Sequence, residues 1–230
     1  MIERRARTDD PRELPAYTIS EAAHYLSLPA ATIRYWSVGR DGHAPLIAAP
    51  EGSPTLLSFL NLAELHVLAA IRRTHEVKMR SIREAIRYLA EHAKRRADKR
   101  HPLIGRDLES DGLDLFSERY GELVNIGRAG QTAMRDVMSA ALRRIDRDPG
   151  GIPIKLYPFT RPALDDAPSI VVIDPSLSAG RPVIAGTGLA TQVIAERYKA
   201  GESVQALAED YGLKDAEIDA AIRCELLIAA

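Results

Sequence analysis

From Thr18 onward, apolar side chains recur at helical rather than strand spacing. Ile19, Ala22, Ala23 and Leu26 form one stripe, the pattern of an amphipathic helix. Thr18-Ile19-Ser20-Glu21 has the form of a capping box, in which the first and fourth residues satisfy each other's backbone N–H. A helix is therefore predicted from Ile19 to about Leu26. Ser27-Leu28-Pro29 ends it, and a second short helix is predicted from about Pro29 to Trp36, because proline is tolerated in a first helical turn. Gly39, Gly42, Pro45, Pro50, Gly52 and Pro54 then punctuate two short apolar runs, Leu46-Ile47-Ala48 and Leu56-Leu57-Ser58-Phe59, which predicts a small β-hairpin. Asn61-x-x-Glu64 and Ser81-x-x-Glu84 predict helices over 62–73 and 82–97. In the second, Ile82, Ala85, Ile86 and Leu89 face inward and Arg80, Arg83, Arg87, Lys94, Arg95 and Arg96 face mostly outward.

The remaining pattern is more mixed. Residues 1–16 alternate charge without apolar periodicity and are expected to form a loose arm. Asp111-Gly112 reads as a hairpin turn. Gly130 precedes a helical stripe of Met134, Val137, Met138, Ala141, Leu142 and Ile145, and Ile152–Phe159 is a strand broken by Pro153 and Pro158. Residues 162–168 carry two prolines and two aspartates and read as a linker. Beyond it come strands at Ile170–Ile173 and Val183-Ile184, a helix ending at Gly201 and two further helices. The fold expected is α+β, mainly α. It has a winged helix-turn-helix over 17–101, an α+β connector over 102–161 and a small strand-plus-helix domain over 169–230.

Two of these stretches echo each other at an offset of 185 residues. Ile19, Ala22, Ala23, Leu26, Ser27, Leu28, Thr32, Ile33 and Trp36 correspond to Val204, Leu207, Ala208, Tyr211, Gly212, Leu213, Glu217, Ile218 and Ala221. Apolar positions stay apolar and the turn stays small, so both fit a helix, a tight turn and a second helix crossing it. The outward face of that second helix differs. The front one carries Thr32, Arg34 and Tyr35, followed by Arg40 and His43. A helix entering the major groove lies between two phosphate rails, so cations and hydroxyls suit it. The equivalents behind are Glu217, Asp219 and Ala220, with Asp215 beside them, and carboxylates there would be repelled by a duplex. The front unit is therefore expected to bind DNA, and the back unit a protein.

Charge distribution extends this contrast to the whole chain. The formal net charge is −1, yet residues 1–101 carry a net +5 and residues 162–230 a net −6, an asymmetry that points to different partners. A composition of 46% hydrophobic and 27% charged residues is that of a folded globular chain. One cysteine, Cys224, allows no intrachain disulfide. No apolar run reaches about 18 residues and the first residues lack a signal-peptide core, so the expected location is the cytoplasm and no membrane partner is expected.

Two resemblances rest on these residues. Tyr17-Thr18-Ile19-Ser20-Glu21-Ala22-Ala23 with Thr32-Ile33-Arg34-Tyr35-Trp36 resembles the winged helix-turn-helix of MerR-type regulators over about residues 17–97. That resemblance implies that Arg34 and Tyr35 meet the DNA backbone, and with the outward face read above the candidate DNA-binding residues are Thr32, Arg34, Tyr35, Arg40 and His43. The long dimerising coiled coil and the cysteine cluster of metal-sensing members are missing. Asp174-Pro175, Gly180-Arg181-Pro182-Val183-Ile184-Ala185-Gly186-Thr187 and Gly201-Glu202-Ser203-Val204 resemble domain-of-unknown-function family four-three-three over about 169–223. Here Gly188-Leu189 replaces the Arg-Ile that commonly comes after Gly-Thr in that family.

Joined, the two parts resemble the larger VapB-like antitoxins of type II toxin–antitoxin pairs. This implies an antitoxin that represses its own operon on operator DNA and neutralises a PIN-like ribonuclease toxin by direct contact, and a single recognition helix in a chain of this size predicts a homodimer on a two-fold operator. Candidate toxin-binding residues are Arg181, Arg197, Asp215, Asp219, Arg223, Leu226 and Leu227. An acidic segment could cover the basic rim that grips RNA, or an arginine could enter the toxin's carboxylate cluster. The runner-up is a MerR-type transcription factor whose C-terminal half binds a ligand or forms the dimer.

Enzymatic readings find little support. Val183–Gly188 could feed a phosphate loop, but the residues after it have a helical pattern, with no returning strand for a dinucleotide fold. The histidines at 24, 43, 66, 75, 92 and 101 include no metal-ligand pair on one helix. No catalytic residue, metal or cofactor is expected.

Overall fold

The computed structural model describes residues 10–40, 42–73, 78–108, 111–125, 127–160 and 168–226. Most of the expected arm (1–16), most of the linker (162–168) and Leu227 lie outside the described residues. The described residues are mainly helical, with three two-stranded antiparallel sheets. No helix among them is long and apolar enough to cross a membrane.

The first helices form as their spacing predicts. Helix α1 (Ile19–Tyr25) is closed by Thr18, whose side chain accepts from the Glu21 amide while Glu21 accepts from the Thr18 amide. Helix α2 (Ala30–Ser37) comes after a turn in which Ser27 takes a left-handed φ of 52°. Ile33 and Trp36 are buried in the main core.

The predicted hairpin over Leu46–Phe59 does not form. Leu46 and Ile47 donate their amides to the Trp36 carbonyl. Leu56–Leu57 (β2) pairs instead with Tyr17–Thr18 (β1), Tyr17 opposite Leu57. Pro45, Pro50 and Pro54 flank the two apolar runs and keep each of them short, and β2 finds its partner earlier in the chain. In place of a longer wing, Arg40 and His43 exchange backbone hydrogen bonds across a tight turn.

Helix α3 (Phe59–Arg73) starts earlier than predicted, because Ser58 and Asn61 satisfy each other's amides at its beginning. It runs through the main core, buried from Phe59 to Ile71. The predicted 82–97 helix divides at Ala93 into α4 (Met79–His92) and α5 (Arg96–Arg100). Asp111-Gly112 is no hairpin turn: Gly112 opens α6 (Gly112–Val124). There the apolar spacing of Leu113, Phe116 and Tyr120, all buried, prevails over the dipeptide signal. Helix α7 (Arg128–Leu142) includes Gly130 in its first turn. Ile145, expected on that helix, begins strand β3 (Ile145–Arg147), which pairs with β4 (Pro153–Leu156).

The back unit holds β5 (Val171–Val172), β6 (Val183–Ile184), α8 (Thr191–Lys199), α9 (Val204–Tyr211) and α10 (Asp215–Leu226). Ile184, Ile194, Leu207, Ile218 and Ala221 form a small core of their own. Leu156 and Ile173 exchange backbone hydrogen bonds of 2.9 and 2.8 Å, which ties this unit to the connector.

Candidate nucleic-acid interface and partner surface

The front candidate residues fall on α2 and the turn after it. Arg34 is exposed on α2, Tyr35 is half-buried, and His43 is exposed beyond the turn. Thr32 and Arg40 lie on the same stretch, Thr32 half-buried and Arg40 at the base of the turn. The Tyr35 and His43 rings meet edge to face, 6.4 Å between centroids. Gly39 makes the turn possible: its φ is +87° and an added Cβ would strike the His43 carbonyl.

Helix α4 completes this face. A groove of about 640 Å³ runs between Tyr35, His43, Pro45 and Leu46 on one side and Arg80, Arg83 and Arg87 on the other. Arg83 bridges it, donating through Nη2 to the Tyr35 hydroxyl at 3.3 Å and through Nη1 to the Ala44 carbonyl. Its guanidinium sits 5.8 Å from the Tyr35 ring centroid. The sequence places arginines on the outside of this helix, but their meeting with Tyr35 depends on how α4 packs.

The echo at 185 residues extends to the hydrogen bonds. Thr18 and Ser203 cap their helices by accepting from Glu21 and Ala206. Ser27 and Gly212 both take a left-handed φ, 52° and 64°. The amides of Leu28 and Leu213 reach back to Ala23 and Ala208, each at 2.9 Å. Ile33 and Ile218 are both fully buried.

The back candidate residues have different surroundings. Arg197 donates to Glu202 and, at 2.6 Å, to Asp210, with its guanidinium 5.1 Å from the Tyr211 ring centroid. It thus ties α8 to α9 within its own unit. Arg223 donates to Asp219 at 2.7 Å along α10. Asp215 is exposed in the first turn of α10. Leu226 packs on the back core. Arg181 is exposed, beside a groove of about 290 Å³ that it lines with His24, Tyr25, Gln192 and Glu225. Gly188 takes a φ of +71° with open space around its Cβ position, so the turn favours glycine for its backbone.

That groove lies on a seam between the two helix-turn-helix units. His24 Nε2 is 3.3 Å from Glu225 Oε2, and Thr191 donates to Glu225 Oε1 at 2.5 Å. Burial pushes the Tyr17 pKa well above its ordinary value, so the hydroxyl stays protonated and donates to the Gly180 carbonyl at 3.1 Å. No local pattern in the sequence signals this seam, because its partners lie far apart in the chain.

Among the described residues, no three His, Cys, Asp or Glu side chains gather to hold a metal ion. Cys224 is buried, and burial pushes its thiol pKa up. A thiol in that setting is a packing group rather than a nucleophile.

These features agree with known proteins. Residues 15–86 match the family described as "Putative DNA-binding HTH domain", and residues 171–223 match "Protein of unknown function (DUF433)". Over 225 residues the chain is 32% identical to "Putative antitoxin VapB45" of Mycobacterium tuberculosis, covering 87% of this chain and 90% of that one. It is 27% identical over 219 residues to "Uncharacterized protein Rv2308" of the same organism, covering 90% and 88% of the two chains. The crystal structure of Rv2018 from Mycobacterium tuberculosis superposes with a TM-score of 0.69 at 27% identity, covering 91% of this chain and 98% of that one. The chain belongs to the family of VapB-like antitoxins with a helix-turn-helix N-terminal domain.

Proposed function

We propose that this chain is the antitoxin of a type II pair, with residues 17–101 binding operator DNA and residues 169–230 binding the cognate toxin. In this reading it acts as a homodimer, represses its own operon and neutralises a PIN-like ribonuclease by direct contact. It carries out no catalysis and needs no cofactor. The observation that carries the reading is one frame with opposite charge. Arg34 stands exposed on α2, and its equivalent on α10 is Asp219. Thr32, Tyr35, Arg40 and His43 lie near Arg34 along α2 and the turn after it, whereas Asp215 and Glu217 accompany Asp219 on α10. On the toxin side, Asp215, Asp219, Arg223 and Arg181 offer the reachable polar groups. Arg197 serves its own unit.

Titration of the full chain onto duplex DNA from upstream of its gene tests the first half. Arg34→Ala should weaken binding about tenfold and make its salt dependence shallower, since each phosphate contact displaces counterions. Asp219→Lys should leave DNA binding unchanged, and a gain or loss comparable to that of Arg34→Ala would overturn the division of labour. For the second half, co-expression with the nuclease encoded next to this gene should give a stable complex with suppressed RNA cleavage. A nuclease that neither binds nor is inhibited would end the antitoxin reading.

A further inference from the structure

A further cavity lies where the end of α4 meets α5 and the start of α6, and it shares no lining residue with the groove at α2 or with the seam. Its volume is about 100 Å³, and Leu89, Leu108 and Leu115 give it apolar walls. Asp98 of α5 also lines it, with only 9% of its surface exposed. A carboxylate offers about four acceptor sites. Here Oδ1 accepts from the Arg106 amide at 3.3 Å, while Oδ2 is buried without a hydrogen-bond partner among the described residues. Gly105 packs directly on this group, since an added Cβ would come within 3.1–3.4 Å of three Asp98 atoms.

These surroundings select a cation with a short apolar body. A buried carboxylate left unpaired is costly, and a counterion held against it removes much of that cost. Helix α4 ends at the cavity, with Leu89, His92 and Ala93 on the wall, and the C-terminal end of a helix carries partial negative charge. The leucines offer nothing to a hydrated metal ion and suit methylene groups instead. His92 and Lys94 line the cavity from exposed positions and oppose a cation, but neither donates to Asp98 Oδ2. Gly112 brings the positive end of α6, which Asp111 precedes with a carboxylate that counters it. A cavity of about 150 Å³ holds a benzene ring, so this one holds about four or five heavy atoms.

We propose that this cavity binds a short aliphatic ammonium ion, its nitrogen on the Asp98 carboxylate and its carbons between Leu89, Leu108 and Leu115. A ligand bound there joins α4 and α5 of the front unit to α6 of the connector. The site is separate from the faces assigned to DNA and toxin, and it stands whether or not those assignments hold. A bare cation and a neutral apolar molecule are alternatives for the test to reject.

The test is titration of the full chain with n-butylammonium chloride, followed by methyl NMR and by thermal melts, with 1-butanol and sodium chloride alongside. The ammonium should shift the methyl signals of Leu89, Leu108 and Leu115 and, at ten times its Kd, raise Tm by about 3–6 °C. 1-Butanol, which has the same carbons without the charge, should bind at least about tenfold more weakly, and sodium chloride should not reproduce the shifts. Asp98→Asn keeps the shape and removes the charge, so it should weaken ammonium binding about tenfold or more while leaving 1-butanol binding unchanged. If the wild-type chain does not bind the ammonium, or binds it with shifts away from these leucines, the site falls. It falls equally if 1-butanol or sodium chloride does as well, or if folded Asp98→Asn binds the ammonium as tightly as the wild type. Should Asp98→Asn not fold, the comparison of n-butylammonium with 1-butanol on the wild-type chain decides the matter alone.

Discussion

The helix pair α1–α2 and the pair α9–α10 start at equivalent points of one local design. A hydroxyl caps each first helix, a left-handed residue turns the chain, and one buried isoleucine, Ile33 or Ile218, anchors each second helix. They differ in what lies outside and in what lies behind. Outside, α2 and its turn carry cations and a phenol where α10 carries carboxylates. Behind, α2 packs into the main core that α3 runs through, whereas α10 closes a small core with α8 and β6. Caps, turn and core positions suffice to specify the frame, which leaves the outward positions free to choose the partner.

The sharpest way to separate the two frames is to empty their anchors. Ile33→Ala and Ile218→Ala should each cost about 2–5 kcal/mol, since each removes a fully buried side chain from a packed site. The functional losses should diverge, with Ile33→Ala impairing DNA binding and Ile218→Ala impairing toxin binding. Equal loss of both functions in either variant, measured at a temperature where it is folded, would show that the units do not act separately.

Acid should also distinguish them. All six histidines lie in the first 101 residues. His66 on α3 is fully buried, its Nε2 without a hydrogen-bond partner among the described residues. Burial first, and then the cations of Arg144 and Arg73, push its pKa down to about 3 from 6.5. Below pH 6.5 the unfolded chain takes up a proton that the folded chain refuses, so stability falls as pH drops through the window from 6.5 toward 3. The slope from this group is up to about 1.4 kcal/mol per pH unit. Urea melts between about pH 6.5 and 5 should show it, and His66→Phe should flatten it. An unchanged slope in that variant would assign the effect elsewhere.

The seam comes next. Gly180 has a φ of +76°, and a Cβ there would overlap the Tyr17 hydroxyl. Gly180→Ala should therefore destabilise the chain by roughly 1–3 kcal/mol. Tyr17→Phe in the same background should recover part of that by removing the clashing oxygen. The smallest effect concerns the two turns. Ser27 occupies the conformation that glycine occupies at 212, so Ser27→Gly should stabilise the chain by about 0.5–1 kcal/mol and Gly212→Ser should destabilise it by a similar amount. Opposite signs in chemical melts would confirm that the turns are equivalent, whereas matching signs would break the parallel.

Both helix-turn-helix frames were legible in the sequence because caps, turns and helical periodicity act within about ten residues of chain. The same locality explains the misreadings. Prolines around Leu46 and Leu56 suggested a hairpin, yet the ladder partner of Leu57 is Tyr17, outside any local window. Asp111-Gly112 is a strong short-range turn signal, and only burial of Leu113, Phe116 and Tyr120 in the core makes that segment helical. Candidate site residues obey the same rule. Arg34 and Tyr35 could be picked from one helix face, but Arg83 meets Tyr35 from 48 residues away. The commitment of Arg197 to Glu202 and Asp210 was equally hidden, since an exposed-looking arginine in sequence shows no partner.

By itself the sequence determined two capped helix pairs, a basic front and an acidic back, because propensity, capping and formal charge are properties of short stretches of chain. Tertiary structure alone decided which strands pair, which arginines remain available, and how the two units meet through Tyr17 and Gly180, 163 residues apart, and through His24 and Glu225, 201 apart. Those contacts depend on burial and on packing geometry, and neither is encoded in any single window of residues.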